Sequence, residues 1–293
     1  MSLMNSKVAR KTRPLLVALA ALTQGACERV VSIDVDEGPE RLVVEARLEA
    51  IQGAPSGRQS FRLTTTAAYF SNVPTPPARG ATVTVTDDRG RAVSFVESTR
   101  APGQYETQDL VAEVGRTYTL RIDWKGDRYE STERLDAVPP IDSLYFMSRE
   151  GKDAATDGLR ATINMRDPMT QTNYYMWDQW IDGTMVRYTQ IPYTIRIVAS
   201  DEMYSGGLAR NFQPFDETKV QSGQTVKMRQ YSISESVWRY YVALNQQGNG
   251  DGSPFAVPAA NVRGNVANLT RPEVRALGYF IASAVAEKEA RVP

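Results

Sequence analysis

The residues that could do chemistry in this chain are carboxylates, one thiol and a run of aromatic rings, because among its 293 residues there is no histidine and one cysteine. Without histidine there is no Ser-His-Asp triad, no Cys-His dyad, no histidine-ligated zinc and no imidazole switch near neutral pH. A single thiol excludes an internal disulfide framework, a cysteine zinc site and an iron–sulfur cluster. Two carboxylates are enough for glycoside hydrolysis, and Asp123, Asp167, Asp178 and Glu235 are the acids to weigh for it. Each also serves as a strand-edge, turn or cap residue, and the spacing puts no two of them at the separation such an enzyme needs. The expectation is a protein that is not an enzyme and carries neither metal nor cofactor.

Cys27 has a different chemistry in view. It follows a segment with Lys7, Arg10, Lys11 and Arg13 and no acid, then the apolar run Leu15 to Leu22, then Gln24-Gly25-Ala26. That is the layout of a signal peptide over residues 1–26. The apolar run spans only ~12 Å as a helix, too short for a ~30 Å hydrocarbon core. Small residues just before the cysteine resemble a bacterial lipobox, although Gln24 stands where such motifs carry an aliphatic residue. Cys27 is therefore the expected lipid attachment point, the alternative being a buried free thiol. Several acyl chains on one cysteine would make a stable anchor. Loss of residues 1–26 would leave 30 basic against 34 acidic residues, a formal charge of −4, which argues against nucleic acid as a partner.

The elements that must position any site are mostly strands. A composition of 42% hydrophobic and 23% charged residues, with a mean hydropathy of −0.39, is that of an ordinary folded chain. Residues 27–40, with Glu28, Asp34, Asp36 and Glu37, form a tether or, second, a cation site. From Arg41 the pattern alternates: Leu42 to Leu48, Ser60 to Tyr69, Ala81 to Thr86, Val93 to Val96 and Thr117 to Trp124. Turn chemistry at Asp87-Asp88-Arg89-Gly90, Pro102-Gly103, Gly115 and Lys125-Gly126-Asp127 separates them. This predicts a β-sandwich of immunoglobulin or prealbumin type over residues 41–138. Val138-Pro139-Pro140 is the expected boundary, since consecutive prolines restrict the backbone and remove donors.

Residues 141–286 are expected to form a second β-rich domain with one clear helix near 233–247, ahead of a charged tail at 287–293. Strands are predicted at Ile141 to Phe146, Leu159 to Met165, Asn173 to Ile181, Tyr188 to Ile197, Thr225 to Ile233 and Leu277 to Ile281. The helix has Ser232 and Glu235 as a capping box, then Val237, Tyr240, Tyr241 and Leu244 at helical spacing until Gly248. Gly248 to Gly252 resembles part of a calcium loop but lacks its spacing and terminal Glu. In Asn173 to Ile181, both faces of the strand are apolar or aromatic. Tyr174, Tyr175, Trp177 and Trp180 thus belong either to a central strand buried on both sides or to a platform for a planar ligand or partner.

Taken in order, several short words resemble one family. Ile33-Asp34-Val35-Asp36 after the cysteine, Arg41 to Glu45, Gly80 to Val83, Gly103-Gln104-Tyr105, Pro140 to Leu144, Asp167-Pro168, Asn173-Tyr174-Tyr175, Ser253-Pro254-Phe255, Gly264-Asn265 and Leu277 to Phe280 are similar to the Bacteroidota outer-membrane lipoproteins catalogued as domain of unknown function 4249. The resemblance implies a lipid-anchored outer-membrane protein, often encoded beside TonB-dependent receptors, and no catalytic residues. Asp142-Ser143-Leu144 also resembles the short acceptor motif for O-glycosylation in that phylum. The functional expectation is a lipid-anchored accessory or binding protein associated with a TonB-dependent β-barrel, at the periplasmic or the outer face. A structural or adhesive surface module is the alternative, and a carboxylate-dependent glycosidase a remote one.

Overall fold

Alternation along the strands builds one large sheet whose two faces are covered by different things. The computed structural model describes residues 38–67, 74–168, 172–187, 196–202, 207–248 and 262–293. The signal segment, Cys27, the acids at 28–37, most of the Tyr188 to Ile197 stretch and the glycine-rich run after Gly248 lie outside them. The chain is mainly β, as its alternation predicts.

The first half contains β1 (Leu42–Ile51), β2 (Gln59–Thr65), β3 (Thr82–Asp87), β4 (Ala92–Glu97), β5 (Gln104–Thr107), β6 (Thr117–Trp124) and β7 (Asp127–Arg134). It continues with β8 (Ile141–Met147), the single turn α1 (Ala154–Asp157), β9 (Arg160–Arg166), β10 (Tyr174–Ile181), β11 (Thr184–Met185), β12 (Ile197–Ser200) and β13 (Leu208–Phe212). Last come β14 (Thr225–Ile233), α2 (Glu235–Gly248), β15 (Ala267–Asn268) and β16 (Leu277–Arg291). Hydrogen-bonded neighbours run β11-β10-β14-β16-β1-β2-β5-β4-β3-β6-β7-β15, with β12 also on β10, and β13-β9-β8 form a separate small sheet.

β4 turns the corner. Ala92 to Phe95 pair with β3, whereas Val96 and Glu97 pair with β5, so one short strand passes from one layer to the other. Phe61 of β2 then stacks on Phe95 of β4 with ring centroids 4.3 Å apart, and Leu42, Val44, Ala46 and Leu48 of β1 point into the same core. The corner is fastened by polar groups. Glu97 accepts from the Gly80 and Gly103 N–H groups at 2.8 and 2.9 Å, and the Tyr105 hydroxyl donates to Ala78 O at 2.7 Å and accepts from Ala81 N at 2.9 Å.

The first and last described strands are sewn together. β16 pairs with β1 in parallel, from Val43 opposite Leu277 to Ile51 opposite Val285, so residues 41–138 and 141–286 share strands of one sheet across the Val138–Pro140 stretch. β16 also runs on through the charged residues 287–291, predicted as tail, because Arg229 on β14 binds Glu287 at 2.6 Å and β14 pairs alongside as far as Arg291. Two glycines make the joint possible. Gly278 has φ +80° and a Cβ there would lie 2.0 Å from Val44 O, while a Cβ on Gly264 would lie 1.8 Å from Gly278 O. Beside them the Asn265 amide imitates a strand, accepting from Phe280 N at 2.9 Å and donating to Phe280 O at 2.8 Å.

α2 matches the predicted helix in place but not in its cap. Ser232 is buried in β14, where its hydroxyl donates to Asp136 O at 2.6 Å, and Ser234 is the capping residue, accepting from Val237 N. The helix lays Val237, Trp238, Tyr240 and Tyr241 on Met176, Tyr231, Tyr279 and Ile281, covering one face of β10, β14 and β16. On the opposite face of β10, Trp177 meets Phe212 of β13, so the small sheet covers that side.

Candidate functional site

Two recesses follow from this layering. The first lies where α2 stops short of covering β1 and β2. It is an open groove of about 700 Å³ whose floor carries Arg47, Glu49 and Arg62, and whose wall carries Tyr240, Tyr241 and Tyr279. Outward positions of β1, β2 and β14 supply the charges, because alternate residues of those strands are already committed to the core. Every carboxylate near the floor is ion-paired. Glu45 faces Arg62 at 3.7 Å, Glu49 lies 3.3 Å from both Arg47 and Arg229, and the buried Asp178 binds Arg47 at 3.1 Å and Arg196 at 3.8 Å. Arg47 also caps the Tyr231 ring at 4.7 Å. Burial pushes the Tyr240 and Tyr279 phenols up to about 12, so both stay protonated hydrogen-bond donors in neutral solution.

The second recess is a cavity of about 480 Å³ between the end of β10 and the small sheet, walled by Met165, Tyr175, Trp177, Leu208 and Phe212, with Arg210 exposed at its rim. Pro168 ends β9 by removing a ladder donor, and Asp167 just before it is fixed by its N–H donating to Gly207 O at 2.9 Å. Asp201 follows β12 and is fixed by its N–H donating to Asn173 O at 3.0 Å. Both side chains are buried, 5% and 6% exposed, and both turn into the cavity. The Tyr175 hydroxyl donates to Asp167 Oδ1, and the Asn173 amide reaches Asp167 Oδ1 at 3.5 Å and Asp201 Oδ2 at 3.2 Å. Asp167 Oδ2 is buried and has no hydrogen-bond donor among the described residues. Burial raises the Asp167 carboxyl above the usual carboxylate range, and the adjoining Asp201 raises it further against the opposing pull of Tyr175 and Asn173.

The aromatic residues picked out in the sequence divide between the two faces of β10. Tyr175 and Trp177 are buried and line the cavity, with Trp177 Nε1 donating to Gln230 Oε1 at 2.9 Å. Tyr174 packs on Trp238 of α2 with centroids 5.4 Å apart, and Trp180 lies beneath Lys227 and Arg229 at 4.8 and 5.4 Å. They are thus parts of a sheet interior and of two separate surfaces. Of the acids, Asp123 pairs with Arg128 at 2.8 Å at the surface and Glu235 with Arg239 at 2.5 Å in the first turn of α2. Ser143 lies half-buried in β8, its hydroxyl oxygen unpartnered among the described residues. Asp201, Arg47 and Phe212 carry no sequence signal of their own. They join a site only through strand pairing and layer contacts.

The described residues form a mainly β protein with α2 over one face of its sheet, the groove and the cavity lying on opposite faces. The chain belongs to the family described as domain of unknown function (DUF4249), whose model matches residues 28–289. No curated protein matches it.

Proposed function

We propose that this protein is a lipid-anchored binding protein of an outer membrane, held through Cys27 and working beside a TonB-dependent β-barrel receptor, and that it performs no catalysis. The observation that carries this reading is the open groove of about 700 Å³ on rigid strands beside α2. Its size is that of a small-molecule or peptide-segment site. Its arginines and protonated tyrosines present fixed donors and ring faces to a polar ligand. Pairing of each floor carboxylate with arginine supports binding over hydrolysis, because a glycosidase needs one acid that keeps its proton.

The test is a mild-detergent pull-down of tagged protein from its own outer membrane, with a Cys27→Ala control, identified by mass spectrometry. Co-purification of a TonB-dependent barrel in near-equal amount, lost in the control, is the expected result. Recovery of the membrane-bound protein alone would overturn the receptor association and favour the surface-module alternative.

A further inference from the structure

The cavity between β10 and the small sheet has chemistry that the groove does not. A buried carboxylate is normally paired or fully hydrogen-bonded, because an ion taken out of water costs several kcal/mol. Asp167 has a buried oxygen without a donor among the described residues and a second aspartate as its neighbour. The same molecule contains a finished version of this arrangement. Asp127, also 5% exposed, receives Tyr129 at 3.2 Å and Asn268 at 3.1 Å, and its remaining capacity is filled by Arg271 Nε and Nη2 at 2.8 and 2.6 Å. Aspartate, tyrosine and asparagine recur in the cavity as Asp167, Tyr175 and Asn173, but Asp201 stands where the other cluster has its guanidinium.

We infer that this cavity is a binding site for an organic cation, an ammonium or guanidinium group held between Asp167 and Asp201 with an apolar body against Trp177, Leu208 and Phe212. The charged end supplies the donors that Asp167 Oδ2 and the second carboxylate accept, and the aromatic wall adds ring faces to which a cation is attracted. A bare divalent metal fits less well. It asks for six or more oxygens, and no cluster of three acids or other ligating side chains occurs among the described residues. The inference does not depend on the groove, on Cys27 or on any receptor.

Binding also has a proton signature. The groups facing Asp167 are Tyr175 from β10, Asn173 ahead of it, Asp201 after β12 and, at the rim, Arg210 from β13. A proton and an entering cation compete for the Asp167 carboxyl, whose hold on a proton is strengthened by burial and by Asp201, so cation affinity falls as pH is lowered.

The experiment is isothermal titration calorimetry on the full chain in nonionic detergent, with 2-phenylethylamine, the matching guanidine and the neutral 2-phenylethanol. It is run at neutral and at lower pH. Expected are saturable binding of both cations, at least about tenfold tighter than the alcohol and weakening as pH is lowered. Asp167→Asn should weaken cation binding on the order of 30-fold while leaving the alcohol unchanged. Thermal unfolding of Asp167→Asn and Asp201→Asn checks that both variants fold. Equal binding of alcohol and cations, or no saturation by either cation up to on the order of 10 mM, overturns the inference and leaves the pair as a proton-sharing structural element. Saturation by calcium chloride with none by the amines overturns it in favour of a metal.

Discussion

Asp127 and Asp167 are equally buried, each takes a hydrogen bond from a tyrosine and an asparagine, and their carboxyls are displaced in opposite directions. Hydrogen bonds from Arg271 hold Asp127 well below the usual carboxylate range, with Asn268 and Tyr129 adding to the effect against the cost of burial. Burial and Asp201 hold Asp167 above it. A larger cost of burial at Asp167 and the exchange of one partner residue make the difference. With a guanidinium the cluster ties β7 to the segment after β15 and is closed; with a second carboxylate it opens on a cavity and stays short of donors. Burial of a charge is therefore a structural feature in one place and a ligand-binding one in the other.

The comparison breaks if the first cluster is dispensable. Asp127→Ala should cost about 3 kcal/mol in urea unfolding, because Tyr129 and Asn268 are left with unused buried donors. Asp167→Asn should do the reverse and stabilise by on the order of 1 kcal/mol at neutral pH, since a neutral amide suits a site with few donors. Asp201→Lys sharpens the contrast by giving the cavity its own cation. It should raise stability by on the order of 1 kcal/mol and abolish amine binding.

The two clusters also predict opposite pH profiles. The lowered Asp127 contributes stability that is present above about 3.9, the unfolded carboxylate value, and is lost as pH falls through its lower folded value. The raised Asp167 contributes stability that is complete below about 3.9 and is lost as pH rises through its higher folded value. Urea midpoints of the two Asp→Asn variants against wild type should thus diverge at neutral pH and converge in acid. Parallel profiles would remove the distinction.

Much of the scaffold was legible from alternation, and little of either cluster was. β1, β3, β4 and β6 carry apolar residues at alternate positions, β10 is aromatic or apolar on both faces, and α2 carries its stripe at helical spacing, so local pattern suffices for them. β7 was missed because Asp-Arg-Tyr-Glu-Ser-Thr-Glu-Arg is mostly polar in both alternating sets, and its buried set includes Asp127, paired with Arg271, and Glu133, hydrogen-bonded by Asn265, both partners far along the chain. β5 was missed because Gln104–Thr107 is short and follows a turn glycine. Asp167 was visible as one of several acids and as the turn residue before Pro168, and Asp201 had no motif around it. Their meeting depends on β12 pairing with β10 while the small sheet packs across it, and no spacing in a sequence encodes that. The parallel β1–β16 pairing is of the same kind, although Gly264 and Gly278 marked its close approach.

The smallest predicted effect tests the donor shortage itself. Tyr129→Phe leaves Asp127 with Asn268 and both Arg271 contacts, so it should cost only about 0.5 kcal/mol, the low end for one hydrogen bond. Tyr175→Phe leaves Asp167 with the 3.5 Å contact from Asn173, and should cost about 1 kcal/mol at neutral pH and less in acid. The acid limit matters because a protonated Asp167 needs fewer donors, so the tyrosine is worth most when the carboxylate is charged. A Tyr175→Phe cost that is independent of pH would mean that the hydroxyl contributes packing alone. Asp167 would then be no shorter of partners than Asp127, and the argument for a cation in the cavity would lose its electrostatic basis.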